Sequence, residues 1–383
     1  MANTKIPPSL TTGPAATAGS PALATLQAAI HAAGGWLGFD DFMALALYAP
    51  GWGYYASGSR KFGRMPASGS DFVTAPEMSV HFGRALARQV AEALRATNTA
   101  EVWEFGAGSG ALAGQLITSL AALGVPLTRY TIVDLSGSLR SRQQERLAPF
   151  GNQVRWLSEL PAELCGVVVG NEVLDAMPVK LLARVKGVWH ERGVVWHAGS
   201  LSFADRPTAL RPPYEVPDAH DYLTEMHLQA EGFVRTLADR LSAGAVFLLY
   251  YGFPEHEYYH PQRHMGTVMC HRGHLADADP LLDVGLKDIT AHVNFTALAL
   301  AGQEAGLQVL GYTSQGRFLL NCGLLDGLEN APLAERAMVQ KLVNEHEMGE
   351  LFKVLAFAAD STAQPYNGWQ ALGFAAGDRS HFL

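Results

Sequence analysis

Short apolar runs alternate with longer amphipathic segments along the chain from about residue 100 onward. The runs predict seven strands, at 103–105, 130–134, 154–157, 166–170, 244–251, 307–313 and 351–358. Several of the segments between them carry apolar residues at the spacing of a helix that packs on one side. This alternation is typical of an α/β protein with a largely parallel sheet.

The first hundred residues and two later segments depart from this alternation. Helical spacing predicts helices at 22–33, 39–48 and 80–95. Residues 183–217 are predicted as short strands with a proline-rich loop, 219–242 as a helix, 252–290 as an irregular excursion, and 288–292 as the start of another helix. We expect these segments to be additions around a core sheet.

The same pattern divides the chain into four expected parts. They are a disordered leader at 1–20, a helical and loop segment at 21–98 that covers the ligand site, a core at 99–360 with insertions at about 183–242 and 252–290, and a C-terminal extension at 361–383.

The composition and net charge argue against some classes of function. Hydrophobic residues are 48% of the chain and charged residues 17%, as in a globular protein with a full core. A net charge of −8 argues against nucleic-acid binding, which needs a basic surface. Three scattered cysteines and the lack of a targeting segment favour the cytoplasm, and no apolar run is long enough to span a membrane. The oligomeric state stays open, with a homodimer as one alternative.

A glycine-rich turn follows the first core strand. Gly106, Gly108 and Gly110 stand at alternate positions, Ala107 lies between the first two, and a helix is predicted from Ala111. Glycine adopts the positive φ of such a turn and lets a ligand approach the backbone, and the helix start presents free N–H groups. The turn is therefore a predicted nucleotide site.

Two features favour S-adenosylmethionine over NAD at this turn, although the spacing also fits a dinucleotide fingerprint. Glu104 stands two residues before the first glycine, where a carboxylate suits an ammonium or sulfonium better than a pyrophosphate. Gly110 completes the acidic-x-G-x-G-x-G pattern of many methyltransferases. A tight turn that binds nothing is the structural alternative.

The next two strands supply further cofactor candidates. Asp134 ends the second strand and is predicted to bind the ribose hydroxyls, with Leu135 beside it. Asp134 is alternatively the cap of the following helix. Trp156 and Leu157 end the third strand and are predicted to flank the adenine.

Polar residues also follow the fourth strand, where ligands bind in open α/β sheets. Asn171 is predicted to contact the cofactor, while Glu172 and Asp175 are the catalytic candidates. Thr74 and Glu77 lie on a loop just upstream of the glycine turn and are predicted to reach the cofactor from outside.

Together these residues match a known family. The chain resembles the MidA family, whose mitochondrial relatives are assembly factors for respiratory complex I with protein-arginine methyltransferase activity. The matching segments run in one order from about residue 40 to 355 and so cover nearly the whole chain. They are Leu47-Tyr-Ala-Pro50 with Gly53-Tyr-Tyr55, Asp71-Phe-Val-Thr-Ala-Pro-Glu77, Phe82-Gly83, Glu104-Phe-Gly-Ala-Gly-Ser-Gly110, Gly170-Asn-Glu-Val-Leu-Asp-Ala-Met-Pro178, Tyr251-Gly252, Gly266-Thr267, His274 and Asp288-Ile-Thr-Ala-His-Val-Asn-Phe-Thr296.

The resemblance implies a class I, Rossmann-like methyltransferase core of the α/β class, with a helical N-terminal segment and an inserted substrate-side region. It also implies S-adenosylmethionine as cofactor and a protein arginine as acceptor, with a respiratory complex subunit as a candidate partner. One departure is that this chain has Tyr250-Tyr251-Gly252 where the family usually has Asp-Tyr-Gly. The missing acid favours an alternative, a non-catalytic cofactor-binding assembly factor. An NAD(P)-linked oxidoreductase is a third alternative, against which Glu104 argues.

Arginine as acceptor gives the carboxylates a task. A guanidinium stays protonated at physiological pH, so the site must hold a cation and take up a proton. We predict Glu172 as clamp or base, with Asp175 three residues later and Glu77 as a further contributor. Glu172 is alternatively a residue that hydrogen-bonds cofactor or backbone, and Asp175 a structural cap. Residues 256–274 carry five histidines and Cys270 without paired ligand spacing, so no metal site is predicted.

Overall fold

The computed structural model describes residues 20–57, 73–134, 137–217, 220–359 and 369–383. The predicted leader, apart from Ser20, lies outside the described residues, as do Asp71, Leu135 and residues 361–368 of the C-terminal extension. No helix in the described ranges is long and apolar enough to cross a bilayer.

The elements of the described residues alternate between strand and helix for most of the chain. The strands are β1 (Leu37–Gly38), β2 (Glu101–Phe105), β3 (Arg129–Val133), β4 (Val154–Leu157), β5 (Leu164–Asn171), β6 (Lys180–Val185), β7 (Val188–His197), β8 (Ser200–Pro207), β9 (Tyr222–Met226), β10 (Leu241–Phe253), β11 (Met269–Arg272), β12 (Leu275–Asp277), β13 (Asp288–Thr290), β14 (Val293–Asn294), β15 (Leu307–Ser314) and β16 (Phe352–Ala359). The helices are α1 (Pro21–Ala32), α2 (Phe39–Tyr48), α3 (Ala75–Met78), α4 (Val80–Ala96), α5 (Ala111–Ala122), α6 (Gly137–Leu147), α7 (Leu228–Arg240), α8 (Glu255–Tyr258), α9 (Phe295–Glu304), α10 (Gln315–Asn321), α11 (Leu333–Val343) and α12 (Met348–Leu351).

The central sheet has the strand order β15-β16-β10-β5-β2-β3-β4, with the short β14 added beside β10. β2, β3, β4, β5 and β10 run parallel, whereas β16 is antiparallel to both β10 and β15. The chain moves outward one way from β2 and the other way from β5, so a topological switch point lies between these two strands. The predicted class I, Rossmann-like α/β core is confirmed.

Buried strand sequences explain why this sheet forms. Val167, Val168 and Val169 of β5 are fully buried, because alternate side chains pack into two separate hydrophobic clusters. Helices α4, α5, α10 and α11 cover one face of the sheet, and α7 and α9 cover the other. The sheet is therefore rigid where its strand ends carry the predicted site.

A second, antiparallel sheet joins the N-terminal segment to the first insertion. Its order is β1-β7-β6-β9, with β8 beside β7. Phe39 and Phe42 of α2 pack with Val179 and Leu181 in one buried cluster, which also takes in Ile289 of β13. Two segments predicted as separate additions thus share a core with the 252–290 excursion, which itself forms a three-stranded sheet of order β12-β11-β13.

Two predicted helices were wrong in their extent. The predicted helix at 219–242 begins only at Leu228, since Tyr222–Met226 is the strand β9 that pairs with β6. The predicted helix start at 288–292 is instead the strand β13, paired with β11, and the helix begins at Phe295. Alternating apolar and polar residues in Tyr222–Met226, and β-branched residues in Asp288–Thr290, favour strand pairing once a partner strand is present. Asn294 caps α9 by accepting a hydrogen bond from the N–H of Ala297.

Candidate functional site

A cavity of ≈ 1660 Å³ opens along the carboxyl edge of the parallel strands. Its wall takes one residue or turn from each of four adjacent strand ends: Asp134 after β3, Gly106 after β2, Asn171 from β5 and Tyr251 from β10. Adjacent strands are about 4.8 Å apart, so these four positions form a row across the switch point. The predicted cofactor and catalytic positions therefore share one cavity.

The glycine turn has the backbone that its sequence requires. Gly106, Gly108 and Gly110 have φ values of 59°, 53° and 80°, all in the left-handed region that favours glycine. A Cβ on Gly106 would lie 2.5 Å from a methyl carbon of Val173, so a side chain does not fit there. Ala107 and Gly108 line the cavity, and Gly110 leads directly into α5.

Gln143, which no sequence motif singles out, connects the turn to the predicted ribose ligand. Its Nε2 donates to the carbonyl of Gly108 at 3.0 Å and to Oδ2 of Asp134 at 2.8 Å. Its Oε1 accepts from the indole N–H of Trp156 at 3.0 Å. Gln143 is fully buried, so it fixes the distance between the turn and Asp134.

The wall next to Asp134 differs from the prediction for the adenine. Leu139, Ser158 and Leu160 line the cavity there. We predicted that Trp156 and Leu157 flank the adenine, but neither is among the described residues that line the cavity. The Trp156 indole points to Gln143, and Leu157 packs against the buried cluster under the sheet. Leu135 lies outside the described residues.

Glu104 lies beneath the glycine turn at the cavity wall. Its Oε2 accepts a hydrogen bond of 2.6 Å from the hydroxyl of Tyr130. Burial raises the pKa of Glu104 to about 8, against the opposing effect of that bond. A buried carboxylate that resists ionisation is a group that a cationic ligand would stabilise.

Of the two upstream candidates, only Thr74 lines the cavity directly. Glu77 is buried outside the described wall, where it accepts from the hydroxyl of Ser109 and forms an ion pair of 2.7 Å with Arg146. This arrangement fastens α3 to the glycine turn. Glu77 thus holds the turn from behind, whereas its neighbours Thr74 and Pro76 line the cavity.

Glu172 has an unusual backbone conformation, with a φ of 54°. Strain of this kind in a residue other than glycine is concentrated at functional sites. Burial is the main cause that raises its pKa to about 8, and the nearby Asp175 raises it further, whereas bonds from Asn171 and the Ala75 backbone lower it. Glu172 and Asp175 do not share a helical face, because the next helical turn starts only at Leu174. Glu172 and Asp175 nevertheless interact across the cavity wall.

Asp175 is buried at the same edge and receives the Tyr251 hydroxyl on Oδ2 at 2.9 Å. Burial raises the pKa of Asp175 to about 6, and the bond from Tyr251 opposes that rise. Its Oδ1 and the Oδ1 of Asn171 are buried without a hydrogen-bond partner among the described residues. Both acceptors belong to residues of the cavity wall.

A third carboxylate and two tyrosines complete this end of the cavity. Asp288 accepts a 2.8 Å hydrogen bond from the hydroxyl of Tyr55, and the Tyr55 ring stacks on Tyr48 with centroids 5.7 Å apart. The charge of Asp288 contributes to the raised pKa of Glu172, so the three carboxylates are electrostatically coupled. The resemblance marked Tyr55 and Asp288 as matching positions, but sequence reasoning gave neither a role.

The structure shows where the two tyrosines lie at the strand end that usually carries Asp-Tyr-Gly in the family. Tyr250 is fully buried beneath the site, and a Cβ on Gly170 would lie 2.4 Å from its hydroxyl oxygen. Tyr251 points toward Asp175 and also packs edge-on against His292 and Phe352. The strand end therefore presents a hydroxyl donor, Tyr251, where it meets the carboxylates.

The residues present fit S-adenosyl-L-methionine. The backbone of the glycine turn lines the cavity, Asp134 lies at the same wall for ribose hydroxyls, and Glu104 and the unpartnered Asn171 oxygen would accept from an ammonium. Among the described residues no group of His, Cys, Asp and Glu side chains could hold a metal ion, the histidines of 256–274 included.

Comparisons with known proteins agree with this geometry. Residues 85–313 match a family model described as "Putative S-adenosyl-L-methionine-dependent methyltransferase". The protein arginine methyltransferase NDUFAF7 of Homo sapiens, named as mitochondrial, is 26% identical over 371 residues, which cover 82% of this chain and 78% of that protein. Its Caenorhabditis elegans homolog is 24% identical over 343 residues, covering 80% and 78%.

Solved structures are more similar still. A protein from Burkholderia thailandensis bound to S-adenosyl-homocysteine is 50% identical and superposes with a TM-score of 0.90, covering 97% of this chain and 100% of that chain. A native structure from the same organism is 49% identical with a TM-score of 0.86, covering 98% and 100%. A ligand with the adenosine and homocysteine parts of the expected cofactor is therefore bound by a protein of this fold.

Proposed function

Because the chain belongs to the S-adenosyl-L-methionine-dependent methyltransferase family matched by residues 85–313, we propose that it methylates an arginine side chain of a protein partner. The family defines the cofactor and the reaction class. The acceptor is the part that the proposal adds.

The observation that carries the proposal is the acidic end of the cavity. Glu172, Asp175 and Asp288 all line this end, and the charges of Asp175 and Asp288 both raise the pKa of Glu172. Ionisation of Glu172 is therefore unfavourable beside these two like charges. A guanidinium, which keeps its charge at any physiological pH, would relieve that repulsion.

The hydrogen-bonding groups at this end also suit a guanidinium. Oδ1 of Asp175 is a buried acceptor that lacks a donor within the described part of the chain. A guanidinium carries five N–H donors in a planar fork, so one ligand could satisfy this oxygen and still reach Glu172. The stacked rings of Tyr48 and Tyr55 add a flat aromatic wall for a planar cation.

The order of the strand ends supports separate places for the two ligands. Asp134, the glycine turn and Asn171 succeed one another across β3, β2 and β5, and this row is long enough for the adenosine and amino-acid parts of the cofactor. Tyr251 on β10 lies beyond Asn171, next to the carboxylates. Bound S-adenosyl-L-methionine supplies an electrophilic methyl group on its sulfonium.

The residues of this chain then have three tasks. Asp175 and Asp288 hold the acceptor cation, Glu172 orients the reacting nitrogen and takes the proton that it loses, and the closed apolar wall excludes water. A pKa of about 8 suits Glu172 to proton uptake near neutral pH.

The relatives support the same acceptor. Those at 24–26% identity carry the name protein arginine methyltransferase. We extend the proposal to a respiratory complex subunit as partner, which follows from the MidA resemblance. We also propose a cytoplasmic location for this chain, since its three cysteines are free, and a homodimer as its assembly.

The test offers the purified protein with S-adenosyl-L-methionine two peptide libraries that differ only in arginine or lysine at one central position, and reads methyl incorporation by mass spectrometry. We expect incorporation at arginine and none when Gly108→Val replaces the wild type. Incorporation at lysine alone would overturn the arginine acceptor. Cofactor binding without transfer to any peptide, or to any protein of a host expressing the chain, would favour the non-catalytic assembly factor.

A further inference from the structure

A further buried carboxylate, Glu225, lies outside the acidic end and has no part in the function proposed above. It belongs to β9 of the antiparallel sheet and is 1% exposed. Burial is the main cause that raises its pKa, and four hydrogen bonds oppose that rise. A group so costly to bury calls for a reason beyond the packing of one strand.

All but one of the bonds to this carboxylate come from one loop. Oε1 accepts from the backbone N–H groups of Thr267 and Val268 at 2.7 and 3.1 Å, and Oε2 accepts from the Thr267 hydroxyl at 3.1 Å. The hydroxyl of Tyr258 donates to Oε2 at 3.0 Å from the other side. Gly266 precedes them with a φ of 73°, and a Cβ there would lie 2.6 Å from Oε1.

The loop that Glu225 holds is a wall of the cavity. Arg263, Met265, Gly266, Thr267, Val268 and Met269 all line it. Without the carboxylate, the backbone N–H groups of Thr267 and Val268 would lose these hydrogen bonds. Buried donors without a partner destabilise a segment. The position of the wall at the acceptor end therefore depends on a residue in a different sheet.

The loop is also connected to Asp175. The Thr267 hydroxyl accepts from the N–H of His292 at 3.0 Å. The His292 ring packs edge-on against Tyr251, with centroids 5.1 Å apart, and the Tyr251 hydroxyl donates to Asp175. Glu225, Thr267, His292, Tyr251 and Asp175 thus form one continuous chain of contacts.

We propose that Glu225 is a positioning residue for methyl transfer, which fixes the Thr267 loop and, through His292, the hydroxyl of Tyr251 on Asp175. The inference rests on the proposed role of Asp175 at the acceptor. It assigns Glu225 no contact with cofactor or acceptor, so its removal should slow transfer and leave cofactor affinity unchanged.

Glu225→Gln tests this with a side chain of the same shape. The amide has one acceptor oxygen instead of two, and its N–H₂ would face donors. Tyr258→Phe is the matched control, because it removes one bond to Oε2 of the same carboxylate and leaves the backbone N–H bonds of Thr267 and Val268 to Oε1 in place. We expect Glu225→Gln to lower kcat for methylation of an acceptor peptide about ten-fold or more, the scale of a lost hydrogen bond to a charged group. The calorimetric affinity for S-adenosyl-homocysteine should change less than about two-fold. Tyr258→Phe should resemble the wild type in both.

A second pair of variants guards against a Glu225→Gln protein that does not fold. Thr267→Val removes the hydroxyl that joins Glu225 to His292, and Thr267→Ser keeps it. We expect the valine to lose turnover as Glu225→Gln does and the serine to restore most of it. Equal turnover for valine and serine would overturn the proposed connection.

An acceptor-independent readout separates this inference from the proposed function. In protein labelled with ¹³C in the tyrosine rings, Tyr251→Phe identifies the Tyr251 signal. Glu225→Gln and Thr267→Val should shift that signal, whereas Tyr258→Phe should not. If the signal stays in place, Glu225 does not position Tyr251, whatever the acceptor is. If it shifts while the wild type methylates no arginine, the positioning stands and the arginine acceptor fails.

Discussion

The hydroxyl of Tyr251 donates a hydrogen bond of 2.9 Å to Oδ2 of Asp175, between the ends of two neighbouring parallel strands. This bond stabilises the ionised form of a carboxyl whose pKa burial has raised to about 6. A hydroxyl donor at the strand end thus keeps Asp175 charged in a wall that otherwise favours its neutral form.

Loss of that hydroxyl should change the pH dependence of methyl transfer. In Tyr251→Phe the pKa of Asp175 rises further, by about one to two units if the bond to a charged group contributes about 1.5–3 kcal/mol. Below the pKa of Glu172 the acid limb of kcat/KM also follows ionisation of Asp175, and this lower part should then move to higher pH, so activity near pH 6 should fall more than activity at pH 9. A pH–rate profile of both proteins measures this.

Tyr312→Phe is the control for that profile. Tyr312 is also buried, and its hydroxyl meets no hydrogen-bond partner among the described residues. Its replacement should leave the profile in place. An acid limb that does not move in Tyr251→Phe would mean that the ionisation of Asp175 does not limit the reaction.

The sheet and the row of strand ends could be predicted because their signals are local. Val167–Val169 is an apolar run that fits only a strand buried on both faces, and Gly106, Gly108 and Gly110 need left-handed backbone within five residues. Since parallel strands present their carboxyl ends at one edge, Asp134 and Asn171 were placed beside the turn by topology alone.

The acceptor end could not be predicted because its contacts join distant parts of the chain. Tyr55 meets Asp288 across 233 positions, and Thr267 meets Glu225 across 42. No periodicity encodes such pairs. The direction of the Trp156 indole could not be predicted for a related reason, since the strand end determines where the residue lies but Gln143, on a helix, accepts the hydrogen bond of the indole.

Gly108→Val should abolish the rise in Tm that S-adenosyl-homocysteine causes in the wild type. A ligand that binds only the folded state raises Tm by mass action, and a valine side chain would block the backbone that the ligand approaches. Gly124→Val is the matched control, because Gly124 has a similar φ of 64° with nothing within 4 Å of a Cβ. It should lower the Tm of the free protein and keep the full ligand-induced rise. An undiminished rise in Gly108→Val would place the cofactor elsewhere.

Glu104→Gln should change how the stability of the cofactor-free protein depends on pH. The folded state binds a proton at Glu104 up to a pKa of about 8, above the ordinary value of 4.5. Folding is therefore favoured at low pH, and wild-type stability falls as pH rises from about 4.5 to 8. Glutamine keeps the bond from Tyr130 without this titration, so the variant should gain on the wild type, by on the order of 4 kcal/mol at pH 8.

Denaturant unfolding at pH 5 and pH 8 measures that gain, and the exposed Glu329→Gln controls for the change in net charge. A constant difference between Glu104→Gln and wild type at both pH values would show that Glu104 does not carry the extra proton. In that case burial alone would not explain its place beneath the turn.

Glu172→Gln separates catalysis from cofactor binding. Glu172 follows β5 with strained backbone, and its carboxylate meets Asn171 and the Ala75 backbone rather than the glycine turn. Because glutamine keeps the size and removes the charge, we expect the variant to fold as the wild type does. Its affinity for S-adenosyl-homocysteine should stay within a few-fold of the wild-type affinity. Turnover should fall about 100-fold or more, the scale of a lost general acid–base group.

The pH profile gives the same variant a second signature. Wild-type kcat/KM reports the free enzyme, in which Glu172 ionises with a pKa of about 8, so the rate should rise with pH up to that value. This limb should be absent in Glu172→Gln, while Glu163→Gln, an exposed carboxyl ahead of the same strand, should retain it. If affinity collapses together with turnover, Glu172 is a cofactor ligand and Asp175 or Asp288 takes the proton. If neither changes, the acidic end has no catalytic role, because the residue with the strained backbone and the raised pKa would then be dispensable.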